Sequence, residues 1–549
     1  MFCYQCEQTS QGTGCQALGV CGKDENTATL QDLLIHAVKG IAQYAHRAAL
    51  LGAQSAEIDL FTLEAIFSTL TNVNFDADVL AKMVDRAAEL RDQARSLYEQ
   101  AAARAGVAVE ILTGPAQFQP AREREALLAQ GRQQLIPLAF EGDGREIKNL
   151  EELVIYGLKG VAAYAYHAMT LGSSAPASYA VVHELLARLT KNNTAEELLG
   201  MALKVGELNF QVLEQLDRAH TETFGAPQPT PVRLHAKQGK AILVSGHDLH
   251  DLYQLLLQTE GTGIQVYTHG EMLPAHGYPK LHAFAYLAGN WGGAWVDQAE
   301  EFDQFPGAIL MTSNCIQKPK ESYKGRIFTA GPVEWPGVTH IDGTDFAPVI
   351  EAALAASGFA EDEPAVPEAM TGFGHDAVLN VAPAVIDAVK SGALRRFFLI
   401  GGCDGARSGR SYYTDFAEKL PQDCVILTLA CGKYRFIKQQ QSFGTLGGLP
   451  RLMDMGQCND AYSALKVAQA LAAAFDCGIN DLPLSLILSW YEQKAVAILL
   501  TLLWLGVKNI RIGPTLPAFL SPSVLGLLHK NFNLMPTTTV ERDMAAILG

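Results

Sequence analysis

The chain has 549 residues, of which 48% are hydrophobic and 18% are charged. This length is typical of about three or four domains, and the modest charge content argues against large disordered regions. The formal net charge of −16 at pH 7 disfavours nucleic acid and anionic membrane surfaces as partners.

Four of the ten cysteines crowd the N-terminus in the pattern C-x2-C-x8-C-x5-C, at Cys3, Cys6, Cys15 and Cys21. Closely spaced thiolates can surround one metal centre, and they favour iron–sulfur clusters, zinc or Cu(I). Zinc ribbons more often carry two C-x2-C knuckles, and only one is present, so an iron–sulfur cluster is favoured over structural zinc or free thiols. These cysteines stand where a secretory signal would have its charged and apolar regions, so we expect a cytoplasmic protein with reduced thiols.

Residues 30–52 (LQDLLIHAVKGIAQYAHRAALLG) and 150–172 (LEELVIYGLKGVAAYAYHAMTLG) form an internal repeat with apolar positions at helical spacing. A second pair, residues 69–80 and 188–199, predicts a turn and an N-cap before another helix. The sequence therefore predicts a duplicated helical unit that serves as scaffold. The most apolar segment, residues 495–507, is too short to cross about 30 Å of hydrocarbon and predicts a buried helix.

Beyond a proline-rich segment at residues 223–233, short β-branched runs alternate with helical patterns, which predicts parallel sheets built from βαβ units. A second polar, proline-rich segment begins at Glu361 and divides this half into two α/β domains. The predicted strands are residues 241–245, 265–268, 308–312, 326–329, 396–400, 425–429, 484–488 and 509–512.

Side chains of the kind that bind metals follow six of these strands, and ligands of open α/β sheets bind at the carboxyl ends of strands. These side chains are His247, Glu271, Cys315, Cys403, Cys431, and the pair Glu492 and Lys494, while Cys458 lies in a predicted loop. Thiolates are soft donors and carboxylates are hard donors, so their combination suggests iron with both sulfide and oxygen bridges.

Each of these residues also has a simpler interpretation. A lone histidine after a strand is more often a hydrogen-bonded loop residue, and cysteine is commonly a small buried hydrophobe. Glu271 is also suited to capping the next helix, and Lys494 to a surface charge. Cys424, which opens a predicted strand, and Cys477, at a predicted helix end, fit the core better than a metal site.

The motifs MFCYQCEQT, THGEMLPAH, SNCIQ, GGCDGARSGRSYYT, ACGKYRF, GQCND and SWYEQKAV resemble those of the hybrid-cluster (prismane) proteins, over essentially the whole chain. The resemblance implies a helical domain followed by two Rossmann-like parallel-sheet domains, akin to the carbon monoxide dehydrogenases. We accordingly expect four parts: a cysteine-rich segment (1–24), a duplicated helical-bundle domain (25–222), and two Rossmann-like α/β domains (223–360 and 361–549).

The resemblance also implies two clusters. The first is a [4Fe–4S] cluster on Cys3, Cys6, Cys15 and Cys21, because members with the wider spacing C-x2-C-x11-C-x6-C carry a [2Fe–2S] cluster instead. The second is a hybrid [4Fe–2O–2S] cluster where the three domains meet. Its ligands, carried over by motif, are His247, Glu271, Cys315, Cys403 (as a persulfide), Cys431, Cys458 and Glu492, with Lys494 close by.

The family is linked to the reduction of hydroxylamine to ammonia and, in other accounts, to nitric oxide reduction and protein S-nitrosylation. We therefore expect an oxidoreductase whose electrons come from an external reductase or ferredoxin-like protein and enter at the N-terminal cluster. No GxGxxG motif follows the first strand, so we expect no flavin or nicotinamide site. The catalytic candidates are His247, Glu271, Cys403, Glu492 and Lys494, the last two as proton donors.

Three other functions compete with this interpretation. A carbon monoxide dehydrogenase activity would need nickel and further cluster ligands, for which ten cysteines are too few. A nitric oxide sensor or trans-nitrosylating protein would use Cys403 without turning over hydroxylamine. A structural zinc protein would contain neither iron nor acid-labile sulfide.

Overall fold

The computed structural model describes residues 1–135 and 143–549. Its N-terminal part is helical, because apolar residues recur there every three or four positions, and side-chain caps at Asp24, Asp76 and Thr194 mark three of the helix starts. The helices are α1 Glu25–Leu50, α2 Ala56–Ser68, α3 Ala77–Ala105, α4 Arg124–Arg132, α5 Asp143–Thr170, α6 Pro176–Arg188 and α7 Ala195–Phe224.

The internal repeat is confirmed as two copies of one arrangement. The first repeat pair forms α1 and α5, and the second pair leads into α3 and α7. Helix α3 starts after Asp76, whose carboxylate accepts hydrogen bonds from two backbone amides of the first turn. Helix α7 starts after Thr194, which forms a capping box with Glu197.

The first α/β unit contains a six-stranded parallel sheet with the order β4-β3-β2-β5-β6-β7. This confirms the four strands predicted there and adds two edge strands, β4 and β7. The elements are β1 Thr230–Val232, β2 Ala241–Ser245, α8 Leu249–Thr259, β3 Gln265–Thr268, α9 Pro279–His282, β4 Leu287–Asn290, α10 Gln298–Gln304, β5 Ala308–Thr312, α11 Glu321–Lys324, β6 Ile327–Ala330, β7 Thr339–Ile341 and α12 Ala347–Ala355.

The second α/β unit contains another six-stranded parallel sheet, with the order β13-β10-β9-β14-β15-β16. Four of these strands were predicted, and the two at the sheet edges were not. The elements are β8 Ala369–Thr371, α13 His375–Asn380, α14 Ala382–Lys390, β9 Arg396–Gly402, α15 Ser411–Lys419, β10 Cys424–Thr428, β11 Thr445–Leu446, β12 Leu449–Pro450, β13 Leu452–Asp454, α16 Ala461–Phe475, β14 Leu484–Ser489, α17 Gln493–Trp504, β15 Ile510–Gly513, α18 Pro522–Phe532, β16 Met535–Pro536 and α19 Val540–Leu548.

The two proline-rich segments pair with each other. Strand β1 lies in the first segment and β8 in the second, and they form a two-stranded antiparallel sheet. Pro231 is tolerated there because a strand in so small a sheet has a free edge that needs no amide hydrogen. The segments therefore tie the two α/β units together near their junction.

Helix α17 joins the second α/β unit to the helical part. It packs against α5 and α7, where the amide of Asn209 donates to Thr501 Oγ1 at 2.9 Å and the Thr501 hydroxyl donates to the Gly206 carbonyl at 3.0 Å. The apolar segment 495–507 is thus largely a buried helix, as predicted. Among the helices in the described ranges, none is long and apolar enough to cross a membrane.

Candidate functional site

Seven of the proposed metal ligands line one small cavity. Each follows the carboxyl end of a strand: β2, β3 and β5 of the first sheet, and β9, β10, β13 and β14 of the second. The seven side chains are His247, Glu271, Cys315, Cys403, Cys431, Cys458 and Glu492. The two sheets therefore direct their carboxyl edges toward a single site.

Cys458 belongs to this group for a reason that the sequence did not reveal. The segment before it was interpreted as loop, but it contains the short edge strand β13, Leu452–Asp454. Cys458 then begins a single 3₁₀ turn, and its backbone N–H donates to Glu271 Oε2 at 2.8 Å. This hydrogen bond holds Cys458, which follows a strand of the second sheet, against Glu271, which follows a strand of the first.

The tightest group in the cavity is His247, Glu271 and Cys458, whose potential ligand atoms all lie within 4.8 Å of one another. All three side chains are buried. Nδ1 of His247 and Oε1 of Glu271 have no hydrogen-bond partner within the described part of the chain. Buried polar atoms are normally paired, so two unpaired ligand atoms in one buried group fit a bound metal.

The backbone around the cavity is strained. Cys315 has φ +76° and Ala430, just before Cys431, has φ +62°, in the left-handed region that favours glycine. Such conformations cost about 1–3 kcal/mol each and persist only where the surroundings enforce them. The amides of Cys315 and Ile316 both donate to the Asn72 carbonyl, at 2.8 and 3.1 Å. The helical part thereby fixes the turn that presents the Cys315 thiol.

Two glycines permit close strand contact beside the cavity. Gly246 precedes His247 with φ +96°, and a Cβ there would lie 1.8 Å from the Thr312 carbonyl oxygen. Gly402 precedes Cys403 with φ +110°, and a Cβ there would lie 2.0 Å from the Ser489 carbonyl oxygen. Both positions exclude any other residue without a shift of the backbone.

The electrostatics of the cavity favour a bound cationic group. Burial raises the pKa of the Cys403 thiol to about 12, and burial raises the pKa values of Cys315, Cys431 and Cys458 well above the usual range. Burial also raises the pKa of the Glu492 carboxyl. Iron bound by these groups would supply the positive charge that stabilises them as thiolates and carboxylate, so this donor set fits an iron centre of mixed sulfur and oxygen ligation.

Lys494 is fully buried, so its interpretation as a surface charge is wrong. Its Nζ donates to Asn314 Oδ1 at 3.2 Å and lies 4.0 Å from Glu492 Oε1. The amide of Asn314 in turn donates to the Cys315 sulfur at 3.1 Å. Glu492 caps α17 by accepting a hydrogen bond from the Lys494 backbone amide at 2.7 Å. The buried Lys494 ammonium group is thus linked through Asn314 to the sulfur of Cys315.

The four N-terminal cysteines form a second group. Cys3 and Cys15 exchange two backbone hydrogen bonds, at 3.0 and 2.8 Å, and the Lys23 ammonium lies 3.9 Å from the Cys3 sulfur. Burial raises the pKa of the Cys6 thiol, and the neighbouring Cys21, Cys3 and Cys15 side chains raise it further. The four cysteines lie in one loop, and the thiols of Cys3, Cys15 and Cys21 are close enough to act on that of Cys6, which fits a compact thiolate-bound cluster.

Two aromatic residues that the sequence analysis did not select lie between the two groups. Trp295 and Tyr491 both line the cavity, and their rings stack with centroids 4.4 Å apart and an interplanar angle of 29°. Both belong to the apolar cluster that also contains Cys6, Cys315 and Cys431. Tyr491 stands directly before Glu492 in the quoted motif SWYEQKAV, which was the only signal in the sequence that pointed to it.

The two remaining cysteines lie away from both groups. Cys424 begins β10, at the end of that strand opposite Cys431, and is completely buried. Cys477 follows α16 and packs against a separate apolar cluster. Neither lines the cavity.

We expect Cys424→Ala to leave the iron content of the protein unchanged, because the thiol is buried away from both groups and donates to the carboxylate of its neighbour Asp423. Cys431→Ala is the matched control, since it changes a cysteine at the other end of the same strand and is expected to lower the iron content. Iron per chain, measured on anaerobically purified variants, tests the pair. Loss of iron from folded Cys424→Ala would mean that the ligand set is misassigned.

Comparison with known proteins gives matches over the full length of the chain. The family model described as "Prismane/CO dehydrogenase family" matches residues 1–545. Proteins named hydroxylamine reductase from Acidiphilium cryptum and Rhodospirillum rubrum are each 56% identical to the chain, covering 100% of it and 99% of their own length. A third, from Methanocella arvoryzae, is 54% identical, with both chains covered completely.

Solved structures with the same fold include carbon monoxide dehydrogenase IV from Carboxydothermus hydrogenoformans, with a TM-score of 0.56 and 15% identity over 97% of this chain and 89% of that one. A carbon monoxide dehydrogenase from Thermococcus sp. AM4 gives a TM-score of 0.53 and 15% identity, covering 99% of this chain and 90% of that one. At this identity the likeness concerns the fold alone. The match of the family model and the full-length relatives show that the chain belongs to the Prismane/CO dehydrogenase family of iron–sulfur oxidoreductases.

Proposed function

We propose that this chain reduces hydroxylamine to ammonia at a hybrid iron–sulfur–oxygen cluster in the cavity between the two sheets. The observation that carries the proposal is the convergence of four thiols, one imidazole and two carboxyls on that cavity. The names of the full-length relatives support the choice of substrate. We propose nitric oxide or another small N–O compound as an additional substrate of the same site.

We propose that Cys3, Cys6, Cys15 and Cys21 hold a [4Fe–4S] cluster. A hybrid [4Fe–2O–2S] cluster would be held by the seven cavity residues, with Cys403 as a persulfide. The N-terminal segment 1–24 and the two α/β units (223–360 and 361–549) would supply the ligands, while residues 25–222 would serve as scaffold. We expect the electrons to come from an external reductase or a ferredoxin-like protein, and the location to be the cytoplasm.

The reduction of hydroxylamine consumes two electrons and two protons and yields ammonia and water. When bound, the clusters would supply the electrons and an open iron for the N–O group. Lys494 and Glu492 are buried beside the cavity, with Lys494 Nζ 4.0 Å from Glu492 Oε1. The ammonium group can give a proton to a leaving hydroxide, and the nearby carboxylate holds it in place. His247 and Glu271 would help to fix the iron position through mixed nitrogen and oxygen ligation.

We expect about eight irons per chain with matching acid-labile sulfide and no stoichiometric zinc, because two groups of ligands each suit a four-iron cluster. The measurement is metal and sulfide analysis of anaerobically purified protein, alongside its EPR spectrum. About six irons would indicate a [2Fe–2S] first cluster. Zinc at the N-terminal cysteines would contradict the proposed electron entry.

The activity is tested by anaerobic turnover of hydroxylamine with a reduced dye as donor. Ammonia formed in stoichiometric amounts and over many cycles supports a reductase. Full iron content without turnover would instead indicate a sensor or a trans-nitrosylating protein and would overturn the proposal.

A further inference from the structure

Glu7 stands directly after Cys6, yet its side chain is buried against the second α/β unit. Its Oε2 accepts a hydrogen bond from Arg410 Nη2 at 2.9 Å, and its Oε1 accepts one from the Thr515 hydroxyl at 3.2 Å. The backbone amide of Glu7 donates to the Tyr491 carbonyl at 2.9 Å. The N-terminal cysteine loop is thus joined to the sheet whose ends bear Cys403 and Glu492.

Arg410, which forms an ion pair with Glu7, is only 1% exposed. Besides Glu7, its guanidinium donates from Nη1 to the Cys403 carbonyl at 3.1 Å and from Nη2 to the Trp490 carbonyl at 3.0 Å. The planar guanidinium presents five donors in a rigid fork, so one side chain can hold several acceptors in fixed relative positions. Here it joins three chain segments that each adjoin a proposed ligand.

We propose that Glu7 and Arg410 are positioning residues that align the Cys403 loop with the N-terminal segment, so that the second centre acquires its active form only when that segment is docked. The inference rests on the proposed ligand role of Cys403. Neither side chain lines the cavity, so neither is offered as a catalytic residue.

The energetics explain why the two residues act as a unit. A buried charge without a partner is strongly destabilising, and Glu7 supplies the closest carboxylate to Arg410, with Asp404 farther away at 3.8 Å. Without the negative charge of Glu7, the positive charge of the Arg410 guanidinium is no longer balanced, and we expect the side chain to shift. The shift would break its hydrogen bond to the Cys403 carbonyl. The Ser489 hydroxyl also donates to that carbonyl, at 2.6 Å, so the loop is displaced and does not unfold.

Arg407 provides a matched control from the same loop. It is partly exposed, its Nη1 donates to the Glu7 carbonyl at 2.8 Å, and it lies 3.6 Å from the Glu7 carboxylate. Among the hydrogen bonds of the described residues, it makes none to Cys403. Arg407→Gln therefore removes a positive charge near Glu7 and a hydrogen bond to the Glu7 carbonyl, but it leaves the Arg410 hydrogen bond to the Cys403 carbonyl in place.

The experiment compares holoenzyme variants Glu7→Gln, Arg410→Gln, the double variant and Arg407→Gln by iron content, EPR and steady-state kinetics. We expect Glu7→Gln and Arg410→Gln to keep the N-terminal centre but to alter the EPR signature of the second centre and lower kcat about tenfold or more, with little change in KM. The double variant should lose no more than either single variant, because both disrupt one unit. Arg407→Gln should resemble the wild type.

Arg410→Lys keeps the positive charge but loses the planar guanidinium group. This variant tests the proposal if the glutamine variants fail to fold. An altered second-centre signature in Arg410→Lys supports the proposal. If Glu7→Gln or Arg410→Lys keeps the wild-type kcat and the wild-type EPR signature of the second centre, the proposal is overturned. Equal loss of both centres would also overturn it, because that result indicates an ion pair with a structural role only. A wild-type protein that lacks the second-centre signature would refute the proposed function itself, and that result is distinguishable from all of these.

Discussion

Glu492→Gln is expected to lower hydroxylamine turnover about a hundredfold or more while the protein stays folded, because a proposed iron ligand is lost and the proton donor Lys494 is disturbed. Glu492 is 2% exposed and lies 4.0 Å from the Lys494 ammonium. The amide keeps the shape and can still accept the capping hydrogen bond from the Lys494 backbone. However, it is a poor iron ligand, and it leaves the buried ammonium group less compensated.

The assay is anaerobic turnover with a dithionite-reduced dye, normalised to iron content. Glu541→Gln is the control, because Glu541 forms an exposed ion pair with Lys419 at 2.7 Å, where loss of the charge should have little effect. Wild-type turnover and an unchanged EPR spectrum in Glu492→Gln would remove this carboxylate from the site.

The second large effect is expected for Cys458→Ala, which should lower the iron content from about eight to about four per chain by loss of the second centre. Cys458 belongs to the tightest donor group, with ligand atoms within 4.8 Å of those of His247 and Glu271. Its backbone amide also holds the Glu271 carboxylate at 2.8 Å. Removing the thiol therefore deletes a soft donor at the point where the two sheets meet.

Metal analysis and EPR of the purified variant test this expectation, with the N-terminal centre as an internal reference. Cys477→Ala serves as the control, because Cys477 packs in a separate apolar cluster and should retain about eight irons. Retention of the complete iron content and of the second-centre signal by Cys458→Ala would show that the thiol is not a ligand.

Local patterns were sufficient to predict most of the fold and the placement of most site residues. Apolar periodicity predicted the repeated helices, and β-branched runs predicted the central strands of both sheets. Because parallel strands share a carboxyl edge, the strand ends placed six of the proposed ligands at one site. Cys458 was placed in a loop because β13 has only three residues and no clear alternation.

Residues that act through distant contacts were not predictable in this way. Arg410 contacts Glu7 across a sequence separation of 403 residues, and Trp295 stacks on Tyr491 from the other α/β unit. No local pattern encodes such partners, since they depend on how the domains pack. The proline-rich segments were likewise interpreted only as domain boundaries, although they contain β1 and β8, because their pairing is also long-range.

The most direct test of the account is anomalous diffraction at the iron edge from crystals of the anaerobically purified wild-type protein. We expect two separate iron sites per chain, one among Cys3, Cys6, Cys15 and Cys21 and one in the cavity that His247, Glu271 and Cys458 border. Iron at the N-terminal cysteines alone, with no anomalous density in the cavity, would contradict the central claim that the two sheets converge on a metal centre.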